Sequence, residues 1–183
     1  MILPIYTYGQ PVLRKTAQPI DPETYEGLQT LLDNMFETMD HADGVGLAAP
    51  QIGLPIRVVV IDATPLSEEF EECKDRRFAM INPQILEVSE ETISYEEGCL
   101  SVPNLHEKVQ RPVSIKISYL DRELNPHTEE VGGFLARIMQ HEYDHLEGHV
   151  FTDRISPLRR TMIKNKLEAM AKGKVRCSYR IKQ

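Results

Sequence analysis

The sequence lacks the long apolar run that a membrane-spanning helix requires. No stretch of its 183 residues approaches about 20 consecutive apolar residues. The first residues, MILPIYTYGQP, also lack the cationic segment and apolar core of a secretory signal peptide. Repeats and low-complexity segments are absent as well. We therefore expect a cytoplasmic protein with a single domain over residues 1–183, because this length suits one sizeable core.

Cysteine is scarce, which excludes a disulfide-rich scaffold. The three cysteines, Cys73, Cys99 and Cys177, are an odd and sparse set, and this favours a reduced, cytoplasmic setting. Cys99 is then available as a thiolate. Cys73 stands in a charged segment, residues 63–77, which we predict to be a surface excursion in which this thiol is incidental.

Negative charge is in excess overall but is nearly missing from the end of the chain. The net charge is −7. Residues 157–183 contain nine Lys or Arg and a single acid, Glu168, a local charge of +8 that leaves −15 for the rest. A basic segment on an acidic body suggests a polyanionic partner. A solvated helix face is the alternative, and charge alone favours that alternative.

Periodicity and capping residues predict three helices. The Asp-Pro pair at 21–22 is typical of a helix start, and apolar residues at helical spacing follow as far as the glycine-rich segment 44–53. A second helix is predicted over about 132–147. A third is predicted over 157–172, with Ser156 as its cap.

Strands are predicted from β-branched and alternating runs between these helices. They cover residues 56–62, 78–82, 85–89, 92–97 and 113–119. Strands clustered between helices indicate an α+β fold. We expect mostly antiparallel sheets around a central second helix, and a C-terminal helix.

The segment QHEYDH, residues 140–145, predicts a metal site on the second helix. His141 and His145 are four apart, so both imidazoles lie on one face and can reach a common ion. Glu142 is about 100° around the axis, where its carboxylate can act as general base on a metal-bound water. The alternative is a surface helix with two unrelated histidines. It is disfavoured because the preceding FLARIM is strongly apolar.

The third ligand decides the class of site, and the sequence offers three candidate residues, His149, Glu168 and Cys99. A common peptidase motif needs a histidine where Phe151 stands, and His149 comes two residues too early. Glu168 is a distant acid in a basic segment. Cys99 is the better choice, since a thiolate and two imidazoles leave a fourth position open for water. A small buried hydrophobic cysteine is the alternative reading.

Three blocks, read together, resemble peptide deformylase. They are GVGLAAPQ at 44–51, EGCLS at 97–101 and QHEYDH at 140–145, and in this order and spacing they span essentially the whole chain. The resemblance implies the family's α+β fold. It also implies a cytoplasmic hydrolase of a linear amide (EC 3.5.1 type), which removes the formyl group from the N-terminal formyl-methionine of new polypeptides.

The resemblance further implies a catalytic set. Cys99, His141 and His145 correspond to the metal ligands. Glu142 corresponds to the general acid/base that serves a metal-bound water attacking the formyl carbon. The oxyanion donors correspond to the side-chain amide of Gln51 and the backbone N–H of Leu100. Loss of one such donor typically costs about 10²–10³ in rate.

Residues around the substrate are also implied by the resemblance. Arg111 forms a bracing ion pair with Glu97, which also borders the substrate site. Substrate contacts are expected from the backbone of Gly46, from the apolar pocket residues Phe134 and Ile138 beside the His141 ring, from Tyr95 at the rim and from His106. Many bacterial members have arginine where this chain has His106. The contact beyond methionine is therefore expected to differ. The 63–77 excursion is longer than in many members.

The resemblance implies one ferrous ion as cofactor, with nickel, cobalt or zinc as replacements. The ligand set alone would have suggested zinc, because cysteine and histidine both suit that ion. Iron(II) beside an exposed thiolate would be oxygen-sensitive, since thiolate ligands are oxidisable.

Formyl-methionyl nascent peptides are the expected partners, and no DNA or membrane contact is predicted. The basic segment could dock on ribosomal phosphate through Arg159, Arg160, Lys164, Lys166 and Lys172. Two other functions remain in view. One is a zinc endopeptidase, disfavoured by the missing downstream ligand. The other is a non-enzymatic module with a structural metal, disfavoured because no fourth ligand is evident.

Overall fold

The computed structural model describes residues 1–183, which form nine strands and three α-helices. The strands in chain order are β1 (Ile5–Tyr6), β2 (Gly46–Ala48), β3 (Val58–Asp62), β4 (Arg77–Val88), β5 (Thr92–Cys99), β6 (Val102–Pro112), β7 (Ser114–Leu120), β8 (Pro126–Gly132) and β9 (Ile181–Lys182). The helices are α1 (Leu28–His41), α2 (Gly133–Leu146) and α3 (Pro157–Ala171). The α+β prediction is confirmed.

A five-stranded antiparallel sheet, in the order β2-β3-β4-β7-β8, separates two cores. Along β3, Val59 and Ile61 face α2, whereas Val58 and Val60 face α1. All four are fully buried. A strand buried on both faces reads as a continuous apolar run, which explains why VVVID was readily predicted as a strand.

The β5–β6 hairpin lies on the other side of α2 and brings Cys99 to it. A third core joins β6 to α3 and to the short helical turn at Phe151–Arg154. α2 is therefore enclosed by the main sheet and the hairpin, and 11 of its 14 residues are buried. The predicted central helix is confirmed, as is α3, whose N-cap Ser156 accepts a hydrogen bond from the backbone N–H of Arg159.

The predicted start of the first helix at residues 21–22 is wrong, because α1 begins at Leu28. Gly27 precedes it with φ of 76°, a left-handed conformation that a right-handed helix cannot continue through. The Asp21 side chain instead accepts a hydrogen bond from the Glu23 N–H at 3.1 Å, as in an Asx turn.

The sheets differ from the sequence prediction in several features. Strands β1, β2, β8 and β9 were not predicted. The strands predicted at 78–82 and 85–89 form one strand, β4, whose register shifts between Ile81 and Gln84, around a proline that has no N–H to donate. β6 was not predicted. Buried and exposed residues alternate along most of β6, as in a half-buried strand. Two of the buried positions hold Glu107 and Arg111, so apolar and polar residues do not alternate in its sequence.

The excursion at 63–77 is not simply a solvated surface segment. Cys73 is fully buried in the core beneath α2, so its description as an incidental surface cysteine is wrong. Burial raises the pKa of its thiol to about 11. Phe70 and Leu66 pack against the same core, which anchors a segment that looked polar in composition.

No helix in the protein combines the length and the apolar character that a membrane crossing demands.

Candidate active site

Three side chains that could hold a metal ion meet where the end of β5 approaches α2. Cys99 Sγ lies 3.3 Å from His145 Nε2, and one ligand atom from each of Cys99, His141 and His145 lies within 4.8 Å of the others. The two imidazole rings are edge-to-face, with centroids 5.3 Å apart, as their spacing of four residues on one helix requires. Thiolate and imidazole donors suit a divalent transition metal.

None of the residues that the peptidase alternatives would use supplies a third metal ligand. Phe151 is buried and stacks on the His141 ring at 6.0 Å. His149 follows α2 with about half of its side chain exposed, 3.7 Å from Asp153. Glu168 pairs with Lys164 on the surface of α3. None of the three belongs to the cluster of metal-ligand side chains.

A buried carboxylate, Glu97, orients the first histidine. Glu97 Oε1 accepts a hydrogen bond from His141 Nδ1 at 2.9 Å, which leaves Nε2 of that ring for a metal. Arg111 meets Glu97 in a two-pronged pair, with Nε to Oε2 at 2.7 Å and Nη2 to Oε1 at 3.0 Å. Arg137 donates to Glu97 as well.

Arg137 was missed by sequence reasoning, although a signal was present. Arg137 stands four residues before His141 in an apolar helix segment, so its side chain lies on the same buried face of α2. A buried guanidinium requires a carboxylate partner. Asp144 was also missed, and it extends the network outward. Asp144 accepts from Arg111 Nη1 at 2.9 Å and from Arg154 Nε at 2.6 Å.

The protonation states of the site follow from this network. Burial alone would raise the pKa of Glu97, but the hydrogen bonds from His141 and Arg111 lower it to about 2. Burial, aided by the charge that His141 carries in the metal-free protein, lowers the pKa of His145 to about 3, so the His145 imidazole is neutral. Burial raises the pKa of Glu142 to about 7, and the charge of Glu97 adds to that effect.

Glu142 lies beside the cluster with one oxygen unused. Its Oε2 is buried and has no hydrogen-bond partner in the protein. A Cβ on Gly46 would come within 2.6 Å of the other oxygen, Oε1. Only glycine leaves room for this carboxylate. Glycine is therefore required at position 46 for a steric reason, in addition to the backbone contact with substrate that the sequence predicts.

The segment after β2 places the side-chain amide of Gln51 beside Cys99. Gln51 is almost fully buried; its Oε1 accepts from the Ala48 N–H at 2.9 Å, so the amide orientation is set. Its Nε2 donates to Cys99 Sγ at 3.5 Å and to Ser101 Oγ at 3.1 Å. Ser101 was not predicted as a site residue; its N–H also donates to Cys99 Sγ, at 3.4 Å.

A cavity of about 380 Å³ opens over these groups. The cavity is lined by Phe134, Ile138, His106 and Leu100, together with Glu97, Cys99 and His141. Tyr95 does not line it but packs edge-on against Phe134 at 5.4 Å. Arg111 lies behind Glu97, outside the lining.

The 63–77 excursion supports one wall of this cavity, which gives it a role that its composition did not suggest. Phe70 stacks on Phe134 with centroids 4.5 Å apart and contacts Tyr95 edge-on at 5.9 Å. Glu72 accepts from the Phe134 N–H at 2.7 Å, at the start of α2. An acidic side chain there also complements the positive end of the helix.

An α+β protein that holds an H-E-x-x-H helix and a cysteine around one buried cavity has the arrangement typical of a metal-dependent hydrolase. The chain belongs to the polypeptide deformylase family, whose model matches residues 2–161. Members of this family hydrolyse the formyl amide of N-terminal formyl-methionine, and the chain is an enzyme of that kind, acting in the synthesis of new polypeptides.

Named relatives support this membership along the whole chain. A peptide deformylase of Christiangramia forsetii is 47% identical over 189 residues, covering 100% of this chain and 96% of the relative. One from Salinibacter ruber is 46% identical, covering 98% and 93%. The resemblance predicted from the three blocks is confirmed.

Solved structures show the same fold. The crystal structure of peptide deformylase from Thermotoga maritima is 42% identical, with a TM-score of 0.77 over 86% of this chain and 99% of that chain. A peptide deformylase from Legionella pneumophila is 38% identical, with a TM-score of 0.81 over 97% and 100%.

Replacing Glu97 with glutamine should destabilise the metal-free protein at neutral pH. The pKa of Glu97 is lowered from 4.5 to about 2, so its ionised form stabilises the fold by on the order of 3 kcal/mol at pH 7. A lowered folded-state pKa means that this contribution is present above about pH 4.5 and is lost as the pH falls through about 2. Urea unfolding in chelator should therefore show a Glu97→Gln deficit that is large at pH 7 and smaller at pH 3.

The matched control is Glu96→Gln, an exposed neighbour on the same strand. It should change the free energy of unfolding by less than about 0.5 kcal/mol at either pH. Equal stability of Glu97→Gln and the unaltered protein at pH 7 would contradict the bracing role.

Proposed function

We propose that the chain performs its deformylation by metal-assisted hydrolysis at Cys99, His141 and His145. The observation that carries this proposal is the position of Glu142. Its carboxylate has a buried oxygen without a protein partner, and it lies next to three ligand atoms that are within 4.8 Å of one another. A structural metal site would have no use for such a carboxylate.

The residues fit a single divalent transition metal. Two buried imidazoles and one thiolate provide three donors, and the cavity provides access for a further ligand. When bound there, the metal supplies a Lewis acid that makes water a competent nucleophile near neutral pH. The hydrogen bond from His141 to Glu97 and those from Gln51 and Ser101 to Cys99 hold two of the donors in orientation.

Glu142 moves the proton in this mechanism. As a carboxylate it takes a proton from the water as the water oxygen bonds to the formyl carbon. It then delivers that proton to the departing amine nitrogen as the carbon–nitrogen bond breaks. Formate and a free methionine N-terminus are the products. In the metal-free protein, burial raises the pKa of Glu142 to about 7, so the environment itself favours release of a proton as well as its acceptance.

Gln51 and Leu100 are the proposed donors to the formyl oxygen, on which negative charge develops. Gln51 Nε2 already points toward Cys99 Sγ, at 3.5 Å. Leu100 follows Cys99 directly and lines the cavity. Donors set in place before the reaction stabilise the transition state without reorganisation.

The methionine side chain is proposed to occupy the apolar part of the cavity, between Phe134 and Ile138 near the His141 ring. Phe70 and Tyr95 support this wall from behind and at the rim. Gly46 lies at the opposite wall, where its backbone can approach the substrate. His106 lines the same cavity and is the proposed contact for the peptide beyond methionine.

Removing the carboxylate of Glu142 should stop turnover and leave the metal bound. Glu142→Gln keeps the shape that fits against Gly46 but cannot take a proton, so formate release from formyl-Met-Ala-Ser should fall by about 10²–10⁴. Metal content should stay equal, because Glu142 is not among the ligands. Formate release and metal analysis on the same preparation measure both.

Glu130→Gln, at an exposed position on β8, is the control and should retain full activity. Formate release by Glu142→Gln at the unaltered rate would rule out the acid/base role. Cleavage of internal peptide bonds without formate would instead indicate a peptidase.

Ferrous iron is the proposed metal in the cell, as the family resemblance implies. The donor set also accepts zinc, nickel or cobalt. Protein purified without oxygen should therefore contain close to one iron per chain and should lose activity in air as the thiolate is oxidised. Metal analysis before and after exposure measures this. One zinc per chain in the oxygen-free preparation would contradict the proposal.

The basic segment is proposed to dock the enzyme on ribosomal phosphate in the cytoplasm, where nascent chains emerge. Lys166 on α3 and Lys172 directly after that helix are exposed and make no ion pair within the protein. Arg159 pairs with Glu107, Lys164 is near Glu168, and Arg160 donates to a backbone carbonyl, so these three are partly engaged.

Reversing the two free charges should weaken ribosome binding. The double variant Lys166→Glu with Lys172→Glu should co-sediment less with ribosomes, and binding should depend less steeply on salt. The control, Lys15→Glu with Lys74→Glu, changes net charge equally at exposed positions off α3. Equal co-sedimentation of both doubles and the unaltered protein at low salt would refute docking.

A further inference from the structure

The last residues of the chain return to the active site. After α3, the tail runs back so that β9 pairs in parallel with β1. The Ile5 N–H donates to the Arg180 carbonyl at 3.0 Å, and the Thr7 N–H donates to the Lys182 carbonyl at 3.1 Å. The tail residues lie beyond 2–161, the part that the family model matches.

One side chain of the tail contacts the backbone next to the proposed metal ligand. The Tyr179 hydroxyl donates to the Leu100 carbonyl oxygen at 2.7 Å. Its ring is partly buried against the core beneath α1, as is Leu100. Cys177, Ser178 and Tyr179 together form part of the cavity wall.

The Leu100–Ser101 peptide links this contact to Cys99. A trans peptide is planar, so its C=O and N–H point in opposite directions and turn together. On one side, the Leu100 carbonyl accepts from Tyr179; on the other, the Ser101 N–H donates to Cys99 Sγ at 3.4 Å. Holding the carbonyl therefore holds the N–H on the sulfur.

We propose that Tyr179 is a positioning residue of the active site, whose hydroxyl sets the orientation of the Leu100–Ser101 peptide and, through it, the hydrogen bond from the Ser101 N–H to the Cys99 sulfur. The inference rests on the proposed function, because it uses Cys99 as a metal ligand. A hydrogen bond to a ligand sulfur tunes its donation to a metal.

Tyr179→Phe isolates the hydroxyl, because the ring keeps its packing. Loss of one neutral hydrogen bond of ordinary strength corresponds to about a fivefold effect. We expect kcat for formyl-Met-Ala-Ser to fall about fivefold with KM nearly unchanged, because the contact acts on the proposed ligand Cys99 and not on substrate binding. In the cobalt-substituted protein, the thiolate-to-cobalt absorption band should shift.

Tyr25→Phe is the matched control. Tyr25 is also partly buried against the core beneath α1, and its hydroxyl is not placed at the site. It should change neither kcat nor the cobalt band. Unchanged kcat and an unchanged band in Tyr179→Phe would overturn the proposal. A lower melting temperature with lower activity but no band shift would also overturn it, since a purely structural role would do the same.

These outcomes are separable from failure of the proposed function. If the unaltered enzyme released no formate, the proposed function would fall. The cobalt band would still report whether the Tyr179 hydroxyl acts on the Cys99 sulfur.

Discussion

The buried carboxylate of Glu97 holds together the two parts of the site that come from different elements. It stands on β5, two residues before Cys99, and binds His141 and Arg137 on α2 and Arg111 on β6. An isolated buried carboxylate would be strongly unfavourable, so β5 is stable beside α2 only with these partners in place. The same contacts set the distance from Cys99 to both histidines.

Small residues make the close approach of the other segments possible. Gly46 leaves space for the Glu142 carboxylate, and Gly44 leaves space for the Leu100 side chain, whose Cδ1 would lie 2.7 Å from an added Cβ. The GVGLAAPQ segment can therefore lie against α2 and the Cys99 turn at once. The Gln51 amide then joins this segment to the Cys99 turn, and the excursion with Phe70 supports the remaining wall.

Secondary structure was predicted correctly where the local sequence carried one strong signal that agreed with how the segment is buried. α2 and α3 were predicted within a residue or two, because one has a dense apolar stripe and the other a serine cap followed by proline. β6 was missed because Glu107 and Arg111 occupy inward positions that the period assigns to apolar residues. α1 was started too early because the Asp-Pro signal marks a turn, and Gly27 separates it from the helix.

The sequence by itself determined the donor types, the spacing of His141, Glu142 and His145 on one helix, and, through the three blocks, the family. It could not determine which distant groups contact these residues, because contacts between separate segments produce no periodic pattern in the local sequence. The tertiary structure decided that Arg137 joins Arg111 on Glu97, that Cys73 belongs to the core, that Phe70 supports the cavity wall and that Tyr179 reaches the Leu100 carbonyl. Each of these depends on how two segments pack, and packing is set by the whole chain.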